Sequence, residues 1–354
     1  MIFSIIIPIC NAGDYLLECV KSAVSQDISF AAPKEVKDVY EVLLVENGST
    51  DDSPRICDEL AAKYPQVNCI HEGKIGLYAA RQVGFSKAQG EYLISLDADD
   101  ALLPCALKEL YLAITDCQNN NENVELFIYD AADMRHPDKA LSERIFTPGY
   151  AYAADEKKIF VEQLCRDDSI NSMWIKCVKK TIACLGNQEM FLNYGEDLYQ
   201  TAEYLNRAAA VMYIDKILYL YRTDASSMST TYSETYLENE KITWKKLDEI
   251  AEKWCKDEFT DLIDERKALT CTIAVARLIY SDLKQKEKKI KLDKLFEDEF
   301  YKKYGKVSLP SWAQEEPRFV KVLQDSADPR SALLNNALKN RVKRIVKGWI
   351  RNGH

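Results

Sequence analysis

Gly90-Glu91-Tyr92-Leu93-Ile94-Ser95-Leu96-Asp97-Ala98-Asp99-Asp100 is the run on which the reading of this 354-residue chain turns. Tyr92 to Leu96 is short and mostly apolar, as expected of a strand buried on both faces of a parallel sheet. It breaks off directly into Asp97, Asp99 and Asp100. Carboxylates packed at the end of an apolar strand repel one another and lose hydration, and a bound divalent cation removes that cost. The oxygen-only set suits Mg²⁺ or Mn²⁺, which join one or two carboxylates to substrate phosphates. Without a metal, such a cluster serves equally to solvate a turn and to cap a helix expected near Ala101.

Toward the amino terminus, short apolar runs alternate with helical patterns, the signature of a parallel sheet with crossover helices. Ile2 to Ile9 reads as a buried strand, and Leu16, Val20, Ala23 and Val24 follow at helical spacing. Glu41 to Val45 is a second strand, running into Glu46-Asn47-Gly48 and then a helix start with Ser53 as cap and Pro54 in the first helical position. Val67 to Ile70 is a third strand, and Gly76 to Ala88 a helix. Ligands of open parallel sheets bind beyond the carboxyl ends of the strands. Three of these ends, at Cys10-Asn11, Glu46-Asn47 and Asp97 to Asp100, are polar or acidic.

Later, Ala106 to Asp116 and Asp155 to Arg166 are helical stretches, and Val124 to Tyr129 is a strand candidate. From Ser233 the chain turns helical and charged, over Ser233 to Lys256 and Asp261 to Lys289, so a boundary is placed near residue 230. The hydrophobic fraction of 47% supplies a full core, and a net charge of −9 argues against a nucleic-acid partner. The eleven cysteines are scattered, without a CxxC pair, and read as reduced cytosolic thiols. No apolar run reaches the roughly 18 residues of a membrane span. His71 and His136 stand alone and are assigned no role.

Four motifs in one order resemble family 2 glycosyltransferases of the GT-A fold, of the bacterial cell-surface polysaccharide type: Ser4 to Asn11, Val45 to Asp51, Ala79 to Gly84, and Gly90 to Asp100. Ser172 to Lys180, Gly195-Glu196-Asp197, and Tyr219 to Arg222 followed by Ser226, Ser227 and Ser229 extend the resemblance more weakly. It implies an α/β fold, a Rossmann-like mixed sheet flanked by helices with a C-terminal helical extension. The catalytic domain would span 1–230, with a nucleotide-sugar half at 1–103 and an acceptor half at 104–230, and a helical region at 231–354. It further implies an inverting transfer from a nucleotide diphosphate sugar, with UDP the expected nucleotide, to a hydroxyl of a saccharide or lipid-linked acceptor.

Carried over, Asp97 lies by the ribose, and Asp99, with Asp97, ligates the Mn²⁺ or Mg²⁺. Pro8, Cys10, Glu46 and Arg81 line the base. Asp197 is the catalytic base, with Glu196 orienting or contacting the acceptor. The chemistry asks for these types, because the leaving diphosphate gains charge that a cation neutralises and a sugar hydroxyl needs a carboxylate to take its proton. The chain departs from the family in having Cys10 for the usual Tyr, Glu46 and Asn47 for Asp, and Lys74 and Gln82 for Asn. A non-catalytic nucleotide-binding or scaffolding relative is the alternative that these changes favour. An aspartyl phosphatase fits less well, since its motif stands on the first strand and is followed by Thr or Val, and a dinucleotide dehydrogenase would need a GxGxxG that Pro8 to Asp14 lacks.

Between Leu338 and Arg351 stand Lys339, Arg341, Lys343, Arg344, Lys347 and Arg351 and no acidic residue. Leu338, Val342, Ile345, Val346, Trp349 and Ile350 share one helical face. Residues 331–351 therefore suit either a peripheral contact with an anionic membrane, at the inner face of the plasma membrane, or packing onto an acidic body. The helices after residue 232 are compatible with an acceptor lid, a homodimer interface or a partner surface.

Overall fold

The computed structural model describes residues 1–31, 35–186, 191–223 and 232–313. The chain divides into two compact units, Met1–Phe160 with Ile170–Ala225, and Val161–Ser169 with Ser226–His354. The basic segment 331–351 and Ser226, Ser227 and Ser229 lie outside the described residues.

The first unit is built on one nine-stranded sheet. Its strands are β1 (Phe3–Ile9), β2 (Tyr40–Asn47), β3 (Val67–Glu72), β4 (Tyr92–Ser95), β5 (Ala101–Leu102), β6 (Val124–Asp133), β7 (Ala151–Ala153), β8 (Lys176–Lys179) and β9 (Ala210–Tyr221). They run in the order β3-β2-β1-β4-β8-β6-β9-β5, with β7 also on β9. β3, β2, β1 and β4 are parallel. Beyond them β8 is antiparallel to both β4 and β6, while β9 runs parallel to β6. β1 and β2 are buried along their whole length, which explains why their sequences are runs rather than alternations.

The helices before residue 225 are α1 (Gly13–Val24), α2 (Val36–Val39), α3 (Ser53–Lys63), α4 (Leu77–Lys87), α5 (Ala106–Asn119), α6 (Lys158–Arg166), α7 (Lys180–Ala183) and α8 (Glu196–Arg207), of which α6 from Val161 onward belongs to the second unit. α1 buries Leu16, Val20 and Ala23 of the stripe its periodicity predicts, with Cys19 buried beside them while Val24 is only partly buried. α4 lies over β1 and β2. A Cβ at Gly84 would run into Ile6 Cγ2, so this helix approaches the sheet more closely than any side chain there would permit.

Some local expectations are corrected. The helix expected near Ala101 starts at Ala106, because Ala101 and Leu102 pair with Leu220 and Tyr219 of β9 instead. Ser53 does not cap its helix, since its hydroxyl accepts from Ala12 N at 3.0 Å. The expected helix 261–289 is two. These are α10 (Thr260–Tyr280), which follows α9 (Tyr236–Cys255), and α11 (Gln285–Glu297), which precedes α12 (Glu299–Tyr304). The break is set at Lys284, whose N–H donates to Glu287 Oε2 at 2.9 Å and so starts α11 afresh.

In the second unit Cys271, Val275, Ala276 and Leu292 form a buried core with Tyr301 and Tyr304. Trp244 Nε1 donates to Thr270 Oγ1 at 3.0 Å, and Lys267 Nζ donates to Asp248 Oδ1 at 2.8 Å. All eleven cysteines are free. Among the described residues no helix is long and apolar enough to cross a membrane.

Candidate active site

In the parallel half the chain leaves β1 toward β2 on one side, and returns from β3 to β4 on the other. The strand order therefore reverses between β1 and β4, where open α/β sheets form their ligand crevice. Cys10 and Asp97 stand at the carboxyl ends of these two strands.

The acidic turn after β4 is held from several directions. Leu96 N donates to Ile6 O at 2.9 Å, continuing the sheet up to the turn, and Asp100 N closes it on Asp97 O at 3.0 Å. Cys19 Sγ donates to the same carbonyl at 3.4 Å. Asp100 points inward, where Tyr219 O–H donates to Oδ2 at 2.6 Å and Arg222 N to Oδ1 at 2.8 Å. Arg222 Nε donates to Asp99 O at 2.8 Å, and its Nη2 to Glu18 Oε2 at 2.6 Å. The end of β9 thus clamps the turn. Tyr219 is itself stacked on Trp174, with ring centroids 4.7 Å apart. Asp100 is consumed as structure, and Asp97 and Asp99 remain to meet a ligand.

Burial, opposed by the Arg81 charge and reinforced by Asp197 and Asp99, pushes the Asp97 carboxyl up to about 7. Burial together with Asp97 and Asp99 pushes Asp100 up to about 8, and burial raises Asp99. Although the Asp97 side chain is 29% exposed, its Oδ1 is buried and accepts no hydrogen bond among the described residues. A buried oxygen acceptor without a donor, beside a second carboxylate and with no sulfur or imidazole in the set, fits a hard divalent cation. Asp97 and Asp99 are the residues that would hold it.

Arg81, on α4, is 1% exposed and links both sides of the site. Its Nε donates to Ser95 Oγ at 3.1 Å, its Nη1 donates to Asp197 Oδ1 at 2.9 Å, and its Nη2 lies 3.8 Å from Asp97 Oδ1. Asp197 stands in the first turn of α8, behind Gly195, which takes φ +70° to turn the chain into the helix. Among the described residues, its other oxygen, Oδ2, receives only the long 3.4 Å contact from Met173 N. Glu196 is its partly buried neighbour in the same turn. Asp97 and Asp197 are thereby brought together, with the Arg81 guanidinium shared between these two carboxylates.

Pro8 is buried in β1 opposite Val45, whereas Cys10 is exposed. The loops after β1 and β2 are stitched together. Asn11, at φ +54°, accepts Thr50 N at 2.7 Å through Oδ1, and Gly13 N donates to Asp51 Oδ2 at 3.0 Å. Glu46 is 4% exposed. Its Oε1 accepts Ser49 N at 2.5 Å and its Oε2 lies 3.5 Å from His71 Nδ1, so it faces its own loop and the neighbouring strand. Tyr219 and Arg222 were legible only as a motif at the end of the catalytic unit, and their hold on Asp99 and Asp100 is not encoded in any local pattern.

Residues 4–159 match the family model described as glycosyl transferase family 2. The chain is 27% identical over 241 residues to the glycosyltransferase GlyG of Streptococcus pneumoniae, a match that takes in 65% of this chain and 73% of that protein. It is 34% identical over 122 residues to the minor teichoic acid biosynthesis protein GgaA of Bacillus subtilis, covering 34% of this chain and only 26% of that protein's length. The crystal structure of S. aureus TarS 1-349 in complex with UDP-GlcNAc has a TM-score of 0.52 at 17% identity, over 100% of this chain and 93% of that one. This likeness is one of fold, and the mixed sheet is that of GT-A transferases.

Proposed function

We propose that the chain, whose residues 4–159 match glycosyl transferase family 2, transfers a sugar, with inversion, from a UDP-sugar to a hydroxyl of a saccharide or lipid-linked acceptor in cell-surface polysaccharide synthesis. The observation that carries the reading is the convergence of Asp97 and Asp197 on one buried guanidinium at the strand-order switch, with Asp99 in the same turn as Asp97. Pro8, Cys10 and the loop held by Glu46 would border the base. Asp97 and Asp99 would hold Mn²⁺ or Mg²⁺, which when bound neutralises charge on the leaving diphosphate. Arg81 fixes Asp197 through Oδ1, which leaves Oδ2 to take the proton from the attacking hydroxyl. A single displacement with the base on the acceptor side inverts the anomeric carbon. Glu196, beside it, would orient the acceptor. We assign 1–230 as the catalytic region, with the donor half at 1–103 and the acceptor half at 104–230, and 231–354 as a helical addition.

Thermal shift against a panel of nucleotide-sugars, with and without Mn²⁺, tests the reading. A ligand at a hundred times its Kd stabilises by about 2.7 kcal/mol. A UDP-sugar should raise Tm only in the presence of the cation. No stabilisation by any nucleotide-sugar in either condition would overturn it, and cation-dependent binding without any turnover would favour a non-catalytic relative.

A further inference from the structure

Asp58 on α3, with Cys69 and His71 on β3, each direct one ligand atom into a space where all lie within 4.8 Å of one another. β3 is the edge strand of the sheet, and Cys69 and His71, two residues apart, project from one face of it onto α3. Asp58 and His71 are exposed, and Cys69 is half-buried. The imidazole is the centre of the group. Its Nε2 lies 2.8 Å from Asp58 Oδ1 and 3.4 Å from Cys69 Sγ. Tetrahedral Zn²⁺ ligands, at about 2.0 Å for nitrogen or oxygen and about 2.3 Å for sulfur, stand roughly 3.3 to 3.5 Å apart, so small side-chain shifts complete the shell.

The other ring nitrogen supplies a second observation. Nδ1 lies 3.5 Å from Oε2 of Glu46, a carboxylate that is 4% exposed and fixed by Ser49 N. A metal-bound imidazole is oriented in this way, with one nitrogen on the metal and the other donating to a carboxylate. A surface His–Asp pair accounts for Asp58, but not for a thiol at the same nitrogen or a buried carboxylate at the other.

We propose that Asp58 Oδ1, Cys69 Sγ and His71 Nε2 bind Zn²⁺, with Glu46 as the positioning residue and water completing the tetrahedron. Thiolate, imidazole and one carboxylate form a zinc set, chemically apart from the oxygen-only Asp97 and Asp99. Binding releases the Cys69 thiol proton to solvent. The site does not depend on the transferase reading.

The test is titration of the full chain with Co²⁺ and competition by Zn²⁺. One equivalent of Co²⁺ should give a thiolate-to-cobalt charge-transfer band that Zn²⁺ removes. Cys69→Ser and His71→Gln should abolish the band, Cys10→Ser and Asp99→Ala should keep it, and Glu46→Gln should weaken Zn²⁺ binding about tenfold or more at unchanged stoichiometry. Circular dichroism in EDTA checks that the variants fold, and Asp58→Asn, at an exposed position, provides an independent loss of affinity. Absence of a thiolate band in the unaltered chain, or a band undiminished in both Cys69→Ser and His71→Gln, overturns the proposal.

Discussion

Arg81 Nη1 donates to Asp197 Oδ1 at 2.9 Å, joining residues 116 positions apart on α4 and α8. The same guanidinium reaches toward Asp97 Oδ1 at 3.8 Å. One buried cation therefore sets the spacing between a carboxylate at the end of β4 and another at the start of α8.

Arg81→Ala should destabilise the protein by about 3 kcal/mol, the low end for a broken buried pair, because both carboxylates keep some contact with water. Arg81→Lys should recover only part of this, since one ammonium does not reproduce the fork that meets Ser95 and both carboxylates. Urea denaturation of the three proteins measures both differences.

Asp99→Ala and Asp197→Asn should separate binding from transfer. The first should abolish Mn²⁺-dependent binding of the donor in calorimetry. The second should leave that binding intact and lower turnover by at least about a hundredfold, the scale of a lost general base. Normal turnover in Asp197→Asn would remove the base from Asp197.

Cys10→Tyr should tighten UDP binding. The position is exposed at the end of β1, and an aromatic ring there offers base stacking of about 1 to 3 kcal/mol. A Kd lowered about tenfold is the expected reading. An unchanged Kd would place the base elsewhere.

Gly84→Ala should harm the site at a distance. The new Cβ would clash with Ile6 Cγ2 and meet Val45 Cγ2 at 3.1 Å, pushing α4 off the sheet. Overpacking of this kind costs about 1 to 3 kcal/mol. Because α4 carries Arg81, turnover should fall further than a surface control of equal stability loss, which parallel stability and activity measurements would show.

Glu240, on α9, has its carboxyl pushed up to about 7 by burial, which the charge of Arg277 opposes and that of Asp168 reinforces. An acid held above its ordinary value takes up its proton more readily in the folded chain. The linked cost is absent below its ordinary value of about 4.5, grows as pH rises toward about 7, and then levels off. Glu240→Gln should therefore stabilise the protein at pH 8 and leave it nearly unchanged at pH 5. Equal effects at the two values would contradict the assignment.

Much of the parallel half was legible. Ile5-Ile6-Ile7, Val42 to Val45 and Leu93-Ile94 are apolar runs of strand length, and each ends in polar residues where the ligand edge lies. β7, β8 and β9 were not anticipated. Val211 to Tyr213 and Leu218 to Tyr221 are strand-like in composition, but their partners lie far off in the chain. β6 and β9 pair with register shifts that no periodicity announces. Ala101 and Leu102 read as a helix start and became a strand because β9 offered them a partner.

By itself the sequence determined the strand ends at which Cys10, Glu46 and Asp97 to Asp100 would stand, because burial of a strand on both faces forces a local apolar run and its end must break it. Only the tertiary structure decided what those residues touch. Asp100 is turned inward onto Tyr219 and Arg222, Glu46 toward Ser49 and His71, and Arg81 onto Asp197. Each of these choices follows from which helix or strand packs beside the strand end. Hydrogen bonds between residues distant in sequence form only after the chain has closed the loops between them, so they leave no period to read.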